Sequence, residues 1–204
     1  MQLQELVKNI QFKGTPDNRE ISSITYDSRK VKPGTLFVAI SGMQTDGHEF
    51  IPQAIENGAV AILSNGRSPK TKAVPILQVK DPRLAMSQIS AQFYGNPSAK
   101  INIVGITGTN GKTSITHILH HILQTSGAAC GTLGTLGFQT PSGMVSTGFT
   151  TPESVELQQM LQTLTLAGVD NLVMEISSHA LDLHRVDDVE VDIAVFSNLT
   201  PEHL

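Results

Sequence analysis

The chain has 204 residues with 14 basic and 18 acidic side chains, a formal net charge of −4 and 16% charged residues. That length suits one large domain or two small ones with a real core, while the near-neutral balance and scarce aromatics (two Tyr, seven Phe, no Trp) give no footing for a nucleic-acid partner or a membrane surface. Cys130 is the only cysteine, residues 1–8 lack the apolar core of a signal peptide, and no apolar run approaches a membrane span, so a reducing, cytoplasmic setting is expected.

Residues 3–10 carry a weak helical pattern. Residues 21–26 alternate as a strand and run into Asp27-Ser28-Arg29. The Lys32-Pro33-Gly34 turn leads to a second strand over 35–40. A polar loop, 41–47, precedes a helix over 48–57 that Gly58 stops. Strands over 59–63 and 75–79 flank a polar loop at 64–72. Asp81 reads as an N-cap and Pro82 as the first residue of a helix whose Ala85, Ile89 and Phe93 share one face. The turn Gly95-Asn96-Pro97-Ser98 divides a first domain, 1–97, from a second, 98–204.

The second domain opens with a buried strand over 101–106 and a glycine loop. A helix follows with an apolar stripe of Ile115, Ile118, Leu119, Ile122 and Leu123. An extended Gly- and Thr-rich piece spans 131–138. The next helix has Thr151 as N-cap, Pro152 in its first turn, and a buried face of Leu157, Met160, Leu161 and Leu164. A buried strand over 171–176 carries Glu175 at its end, a short helix starts at Ser177, and a further buried strand spans 191–196. Strands alternating with helices imply an α/β fold with a parallel sheet and ligands at the carboxyl ends of its strands.

Strand, glycine loop, Lys112-Thr113 and helix form the layout of a phosphate-binding loop. Glycines let backbone N–H groups surround phosphate oxygens, the helix N-terminus adds its positive dipole end, the lysine reaches the outer phosphates, and the threonine hydroxyl can ligate Mg²⁺. The usual spacing asks for glycine at position 106, where isoleucine stands; the glycine is at 108 instead. Glu175 is either a carboxylate placed near that Mg²⁺ or an exposed strand-end glutamate. His117, His120 and His121 lie opposite the apolar stripe and read as a solvated face. His179 and His184 lack ligand spacing, and His203 is a weak candidate on spacing alone. Ser177 and Ser178 lack a nucleophile elbow and suit ligand hydrogen bonds or a helix cap.

Six motifs in order extend this reading: residues 27–40, Asp46-Gly47-His48, 108–113, Thr150-Thr151-Pro152, 175–180 and 198–203. With them the chain resembles the Mur ligases of peptidoglycan synthesis over nearly its whole length, and most of all the MurE subfamily. The family's loop has the same glycine spacing as this one. The resemblance implies a small N-terminal α/β domain that binds the UDP end of UDP-MurNAc-L-Ala-D-Glu, followed by a truncated P-loop-type, parallel-sheet ATPase domain. It implies an ATP-dependent, Mg²⁺-requiring ligase that adds diaminopimelate or lysine through an acyl phosphate. By the same resemblance Gly108, Thr109, Asn110, Gly111, Lys112, Thr113 and Ser114 would hold ATP. Thr113, Glu175 and His203 would serve Mg²⁺, with Lys112, Glu175 and His203 catalytic. Tyr26, Ser28, Met43, Gln44 and Thr45 would bind UDP, and Thr150, Thr151, Ser177 and Arg185 the muramoyl dipeptide. Small-molecule substrates, a monomer, and no nucleic-acid or membrane partner are expected. The family's central domain runs beyond residue 204 and a third domain follows it, so this length alone is expected not to complete the reaction. The alternatives are a related Mur or polyglutamate ligase, and a UDP-sugar- or nucleotide-binding protein of the same origin that ligates nothing.

Overall fold

A computed structural model describes residues 1–42, 45–66 and 73–200. The chain divides into two compact units, Met1–Phe93 and Tyr94–Leu204.

The first unit contains α1 (Leu3–Leu6), β1 (Ser23–Thr25), β2 (Thr35–Val38), α2 (Ile51–Glu56), β3 (Ala59–Ser64), β4 (Ile76–Gln78) and α3 (Pro82–Phe93). Its strands form one parallel sheet in the order β1-β2-β3-β4. Phe37 and Ile62 from the sheet pack with Ile51 and Ala54 of α2 in a closed core. Asp81 caps α3 as expected, its Oδ1 accepting from the N–H groups of Arg83 (2.9 Å) and Leu84 (3.1 Å). The helix expected over 48–57 is two pieces. A 3-10 turn over Gly47–Phe50, capped by Asp46, comes first, and α2 begins only at Ile51, with Pro52 in its first turn where no N–H is needed.

The second unit contains β5 (Asn102–Thr107), α4 (Lys112–Thr125), β6 (Cys130–Gly134), β7 (Gly137–Thr140), β8 (Gly143–Val145), α5 (Ser154–Leu166), β9 (Asn171–Glu175), α6 (Ser178–Asp182) and β10 (Ile193–Phe196). The sheet runs β10-β5-β9-β6-β7-β8. Its first four strands are parallel, but β6, β7 and β8 are antiparallel neighbours. The single extended piece expected over 131–138 is therefore a hairpin with a two-residue turn at Thr135-Leu136, and the sheet is mixed.

Strand alternation sorts the core into two faces. Ile103, Leu172 and Met174 turn towards Leu157, Leu161 and Leu164 of α5. Ile106 and Val173 turn the other way, towards Ile115, Leu119 and Leu123 of α4. With both faces covered, β5 and β9 read as continuous apolar runs.

Three expectations fail here. The α4 stripe is not wholly buried: Ile118 and Ile122 are 59% and 56% exposed, while Thr116 and His120 are buried. The loop fixes where α4 starts, and that phase turns the 116–120 face, not 118–122, onto β6 and β9. Among the described residues the strand over 191–196 lies at the edge of the sheet, and its Ile193 and Phe196 are exposed. Thr151 does not cap α5. Its hydroxyl is committed to the Glu175 carbonyl and the Ser177 N–H, and the cap position falls to Glu153.

Candidate active site

The loop between β5 and α4 lies at the carboxyl end of the parallel strands, where α/β sheets gather ligands. Gly108 has φ +126°, and a Cβ there would come within 2.3 Å of Ser197 Oγ and 2.8 Å of the Asn198 carbonyl oxygen. Only glycine fits both the conformation and the space. Gly111 caps α4, so the N–H groups of residues 112–114 have no acceptor within the helix and present its positive end. Lys112 Nζ donates to the carbonyls of Gly108 (2.6 Å) and Thr109 (3.0 Å), which leaves one of its three N–H donors for an outside acceptor.

Residues 197–200, which follow β10, latch this loop. The Asn198 carboxamide accepts from Asn110 N–H (3.0 Å) and donates to the Asn110 carbonyl (2.9 Å). The Asn198 carbonyl accepts from Thr109 N–H at 2.9 Å. Ser197 Oγ donates to the Asn110 carbonyl at 2.7 Å, and Thr200 N–H donates to Thr109 Oγ1 at 3.0 Å. Thr109 and Asn110 thus spend their N–H groups on the latch, and the first turn of α4 keeps those open to an anion.

Of the two readings of Glu175, the exposed strand-end glutamate is excluded: the residue is 1% exposed. Register pairs it with Ile106, beside the start of the loop. Its Oε2 accepts from Thr113 Oγ1 (3.0 Å) and Thr135 Oγ1 (3.2 Å), and its Oε1 accepts from Thr135 N–H (3.0 Å). Among the described residues no cationic side chain bonds this carboxylate. Gly134 makes room for it, since a Cβ there would stand 2.2 Å from Oε1. Thr113 gives its proton to Glu175 and so turns its oxygen lone pairs outward. One buried carboxylate and one hydroxyl oxygen beside an anion cradle fit Mg²⁺, which keeps several waters and takes few protein ligands. Among the described residues no group of three or more His, Cys, Asp or Glu forms a metal cluster. His203 lies outside the described residues.

A pocket of about 480 Å³ joins the loop, Glu175, Thr150, Thr151, Ser177 and Arg185. Thr151 is buried. Its hydroxyl donates to the Glu175 carbonyl (2.9 Å) and accepts from Ser177 N–H (3.1 Å), so it pins β9 to the residues before α5. Ser177 Oγ caps α6, accepting from Ala180 N–H. Arg185 follows His184, whose φ of +55° turns the chain back towards the pocket. Its guanidinium donates to the Thr151 carbonyl (2.9 Å) and pairs with Glu153 Oε1 (2.9 Å). Thr135, Phe149, Ser178 and His179 also line the pocket. Sequence reasoning missed Thr135 and Glu153 as site residues, and no local pattern marks either one.

Gly108 and Ser114 flank the pocket-lining part of the loop. In the first unit, Tyr26 and Ser28 follow β1 and Thr45 follows β2, at the carboxyl ends of adjacent parallel strands. Ser28 is buried and its hydroxyl donates to Gln53 Oε1 at 3.1 Å. Thr45 is exposed, its carbonyl accepting from Gly42 N–H at 2.9 Å. Met43 and Gln44 lie outside the described residues. His48 is buried with Nδ1 2.5 Å from Asp46 Oδ1, and this contact holds the Asp46 carboxyl below the usual carboxylate range.

His120 corrects the solvated-face reading of its trio. It is buried, with Nε2 3.1 Å from the Cys130 carbonyl, and burial pushes its pKa down, so the ring stays neutral. Burial also pushes the Cys130 thiol up to about 11, which removes it as a nucleophile.

Two family models match the chain: "Mur ligase family, catalytic domain" over residues 20–94 and "Mur ligase middle domain" over residues 106–204. The UDP-N-acetylmuramoyl-L-alanyl-D-glutamate--2,6-diaminopimelate ligase of Caldanaerobacter subterraneus subsp. tengcongensis is 45% identical over 100% of this chain and 42% of its own length. The protein of the same name from Syntrophomonas wolfei subsp. wolfei is 44% identical over the same shares. A solved structure of a ligase of that name superposes with a TM-score of 0.86 at 26% identity, over 100% of this chain and 41% of the other. A MurF ligase from Thermotoga maritima in complex with ADP shares the fold, with a TM-score of 0.59 at 24% identity over 88% of this chain and 38% of its own. The chain spans about two fifths of the length of the curated relatives it matches. With both of its units matched by Mur ligase models and its full length aligned to these ligases, the chain belongs to the Mur ligase family.

Proposed function

We propose that the chain is the substrate-binding and nucleotide-binding part of an ATP-dependent, cytoplasmic ligase that joins 2,6-diaminopimelate to UDP-MurNAc-L-Ala-D-Glu. The observation that carries the reading is the buried Glu175 carboxylate, held by hydroxyl and N–H donors beside the open first turn of α4. The names of the relatives support the choice of substrates.

In this reading the N–H groups of residues 112–114 and the free donor of Lys112 hold the β- and γ-phosphates of ATP. Thr113 and Glu175 hold Mg²⁺, which when bound neutralises charge on the phosphates. Arg185 orients a carboxylate of the muramoyl dipeptide, and Thr150 and Ser177 fix its peptide portion. Tyr26, Ser28 and Thr45 take the UDP end. The γ-phosphoryl group passes to the D-glutamate carboxylate, giving an acyl phosphate and ADP. The amine of the incoming amino acid attacks the carbonyl carbon, phosphate leaves, and the nitrogen loses a proton. Such a transfer needs position and charge balance more than covalent help, which suits a site built from hydroxyls, one lysine and one carboxylate.

The test is product analysis on the intact protein with ATP, Mg²⁺, UDP-MurNAc-L-Ala-D-Glu and diaminopimelate. Tripeptide, ADP and phosphate in equal amounts, lost in Lys112→Ala, is the expected result. Absence of tripeptide, or tripeptide formation that Lys112→Ala leaves unchanged, would overturn the reading.

A further inference from the structure

Thr135 sits in the two-residue turn between β6 and β7 and reaches two neighbours at once. Its N–H and hydroxyl both bond Glu175, at 3.0 and 3.2 Å, and its Oγ1 lies 3.1 Å from Thr150 Oγ1. We propose that Thr135 is a positioning residue that fixes the Glu175 carboxylate for its cation and sets the hydrogen-bond polarity of Thr150.

The direction of each proton follows from the chemistry of the acceptor. A carboxylate accepts and does not donate. The Thr135 hydroxyl must therefore give its proton to Glu175, and its oxygen can only accept from Thr150. Thr150 then spends its own proton on Thr135 and shows the pocket lone pairs alone. A hydroxyl in that state takes an N–H or O–H donor and turns away a carboxylate or phosphate oxygen. Its matching ligand group is a peptide amide N–H. The same rule at Thr113, whose proton also goes to Glu175 at 3.0 Å, leaves lone pairs for a cation. One buried carboxylate thus sets the polarity of three hydroxyls. Gly134 completes the arrangement, because any Cβ there would displace the carboxylate that Thr135 holds.

This inference rests on the nucleotide–metal reading above, and the experiment separates the two. Mn²⁺ in the presence of ADP is titrated by electron paramagnetic resonance on intact protein: wild type, Thr135→Val and Thr135→Ser. Thr135→Val keeps the N–H and the shape but loses the hydroxyl. It should weaken Mn²⁺ about tenfold, and Thr135→Ser should restore affinity to within about twofold. In parallel, Thr150→Val should weaken UDP-MurNAc-L-Ala-D-Glu about tenfold in wild type but only about twofold in a Thr135→Val background, where the polarity is already lost. A merely structural role would lower the melting temperature without this coupling. Should Thr135→Val melt early, Thr135→Ala carries the same test. Wild-type protein that binds no Mn²⁺ with ADP would overturn the nucleotide–metal reading and this inference with it. Wild type that binds, with Thr135→Val binding as tightly, or with Thr150→Val equally costly in both backgrounds, would overturn this inference alone.

Discussion

Replacing Glu153 with alanine strips the Arg185 guanidinium of the carboxylate it meets at 2.9 Å. The two side chains are 10% and 15% exposed, so neither charge has much water to fall back on. Breaking a buried pair from one side costs roughly 3–5 kcal/mol, because the remaining charge stays buried. Arg185 keeps its bond to the Thr151 carbonyl and some solvent, which places the cost at the lower end, about 3 kcal/mol. For a unit of this size that corresponds to a fall in melting temperature of roughly 10 °C or more. Glu153→Gln keeps an acceptor but no charge, so it should recover only part of that loss and cost about 2 kcal/mol. Calorimetry of the two single alanine variants and the Glu153→Ala/Arg185→Ala double variant gives the coupling directly. The double variant should be more stable than the summed single losses predict, by about 1–3 kcal/mol. A Glu153→Ala protein that melts within about 2 °C of wild type, or strictly additive losses, would refute the claim that this pair holds Arg185 at the pocket wall.

Three further outcomes follow from the same structure. Gly134→Ala sets a Cβ 2.2 Å from Glu175 Oε1, and should cost about 1–3 kcal/mol by chemical denaturation and weaken Mn²⁺ binding. Asn198→Ala removes both bonds of its carboxamide to the Asn110 peptide; because these are solvent-exposed, ADP affinity measured by calorimetry should fall only about five- to tenfold, with UDP-MurNAc-L-Ala-D-Glu affinity unchanged. Burial holds the pKa of His120 below its ordinary 6.5, so the unfolded chain takes up that proton first as pH falls. Stability from this group is full above about pH 6.5 and declines below it, and the drop in melting temperature between about pH 7.5 and 5.5 should be smaller in His120→Gln than in wild type.

The phosphate loop was legible because its signal is local: strand, glycines, Lys112-Thr113 and helix fall within a short run of sequence. The parallel α/β class was legible from alternating periods for the same reason. What stayed hidden depends on partners far apart in sequence. Asn198 finds Asn110 only once β10 lies beside β5, Thr135 finds Glu175 only once β6 lies beside β9, and Glu153 finds Arg185 only once the segments before α5 and after α6 meet. The burial of His120 was missed because both faces of α4 carry apolar or ring side chains, and the start of the helix at Lys112, not its composition, decides which face meets the sheet. The β6–β7 hairpin was missed because Gly134 and Gly137, which bracket its turn, look like breaks in any extended piece.

Everything proposed for the second unit depends on the first turn of α4 and Glu175 holding a metal nucleotide. Isothermal titration of the intact protein with ADP, with and without Mg²⁺, tests this most directly, with Lys112→Ala and Glu175→Gln as controls. The expected result is saturable binding that Mg²⁺ tightens, that Lys112→Ala weakens with or without the metal, and that Glu175→Gln weakens mainly when Mg²⁺ is present. No binding, or binding that ignores Mg²⁺ and both substitutions, would contradict it.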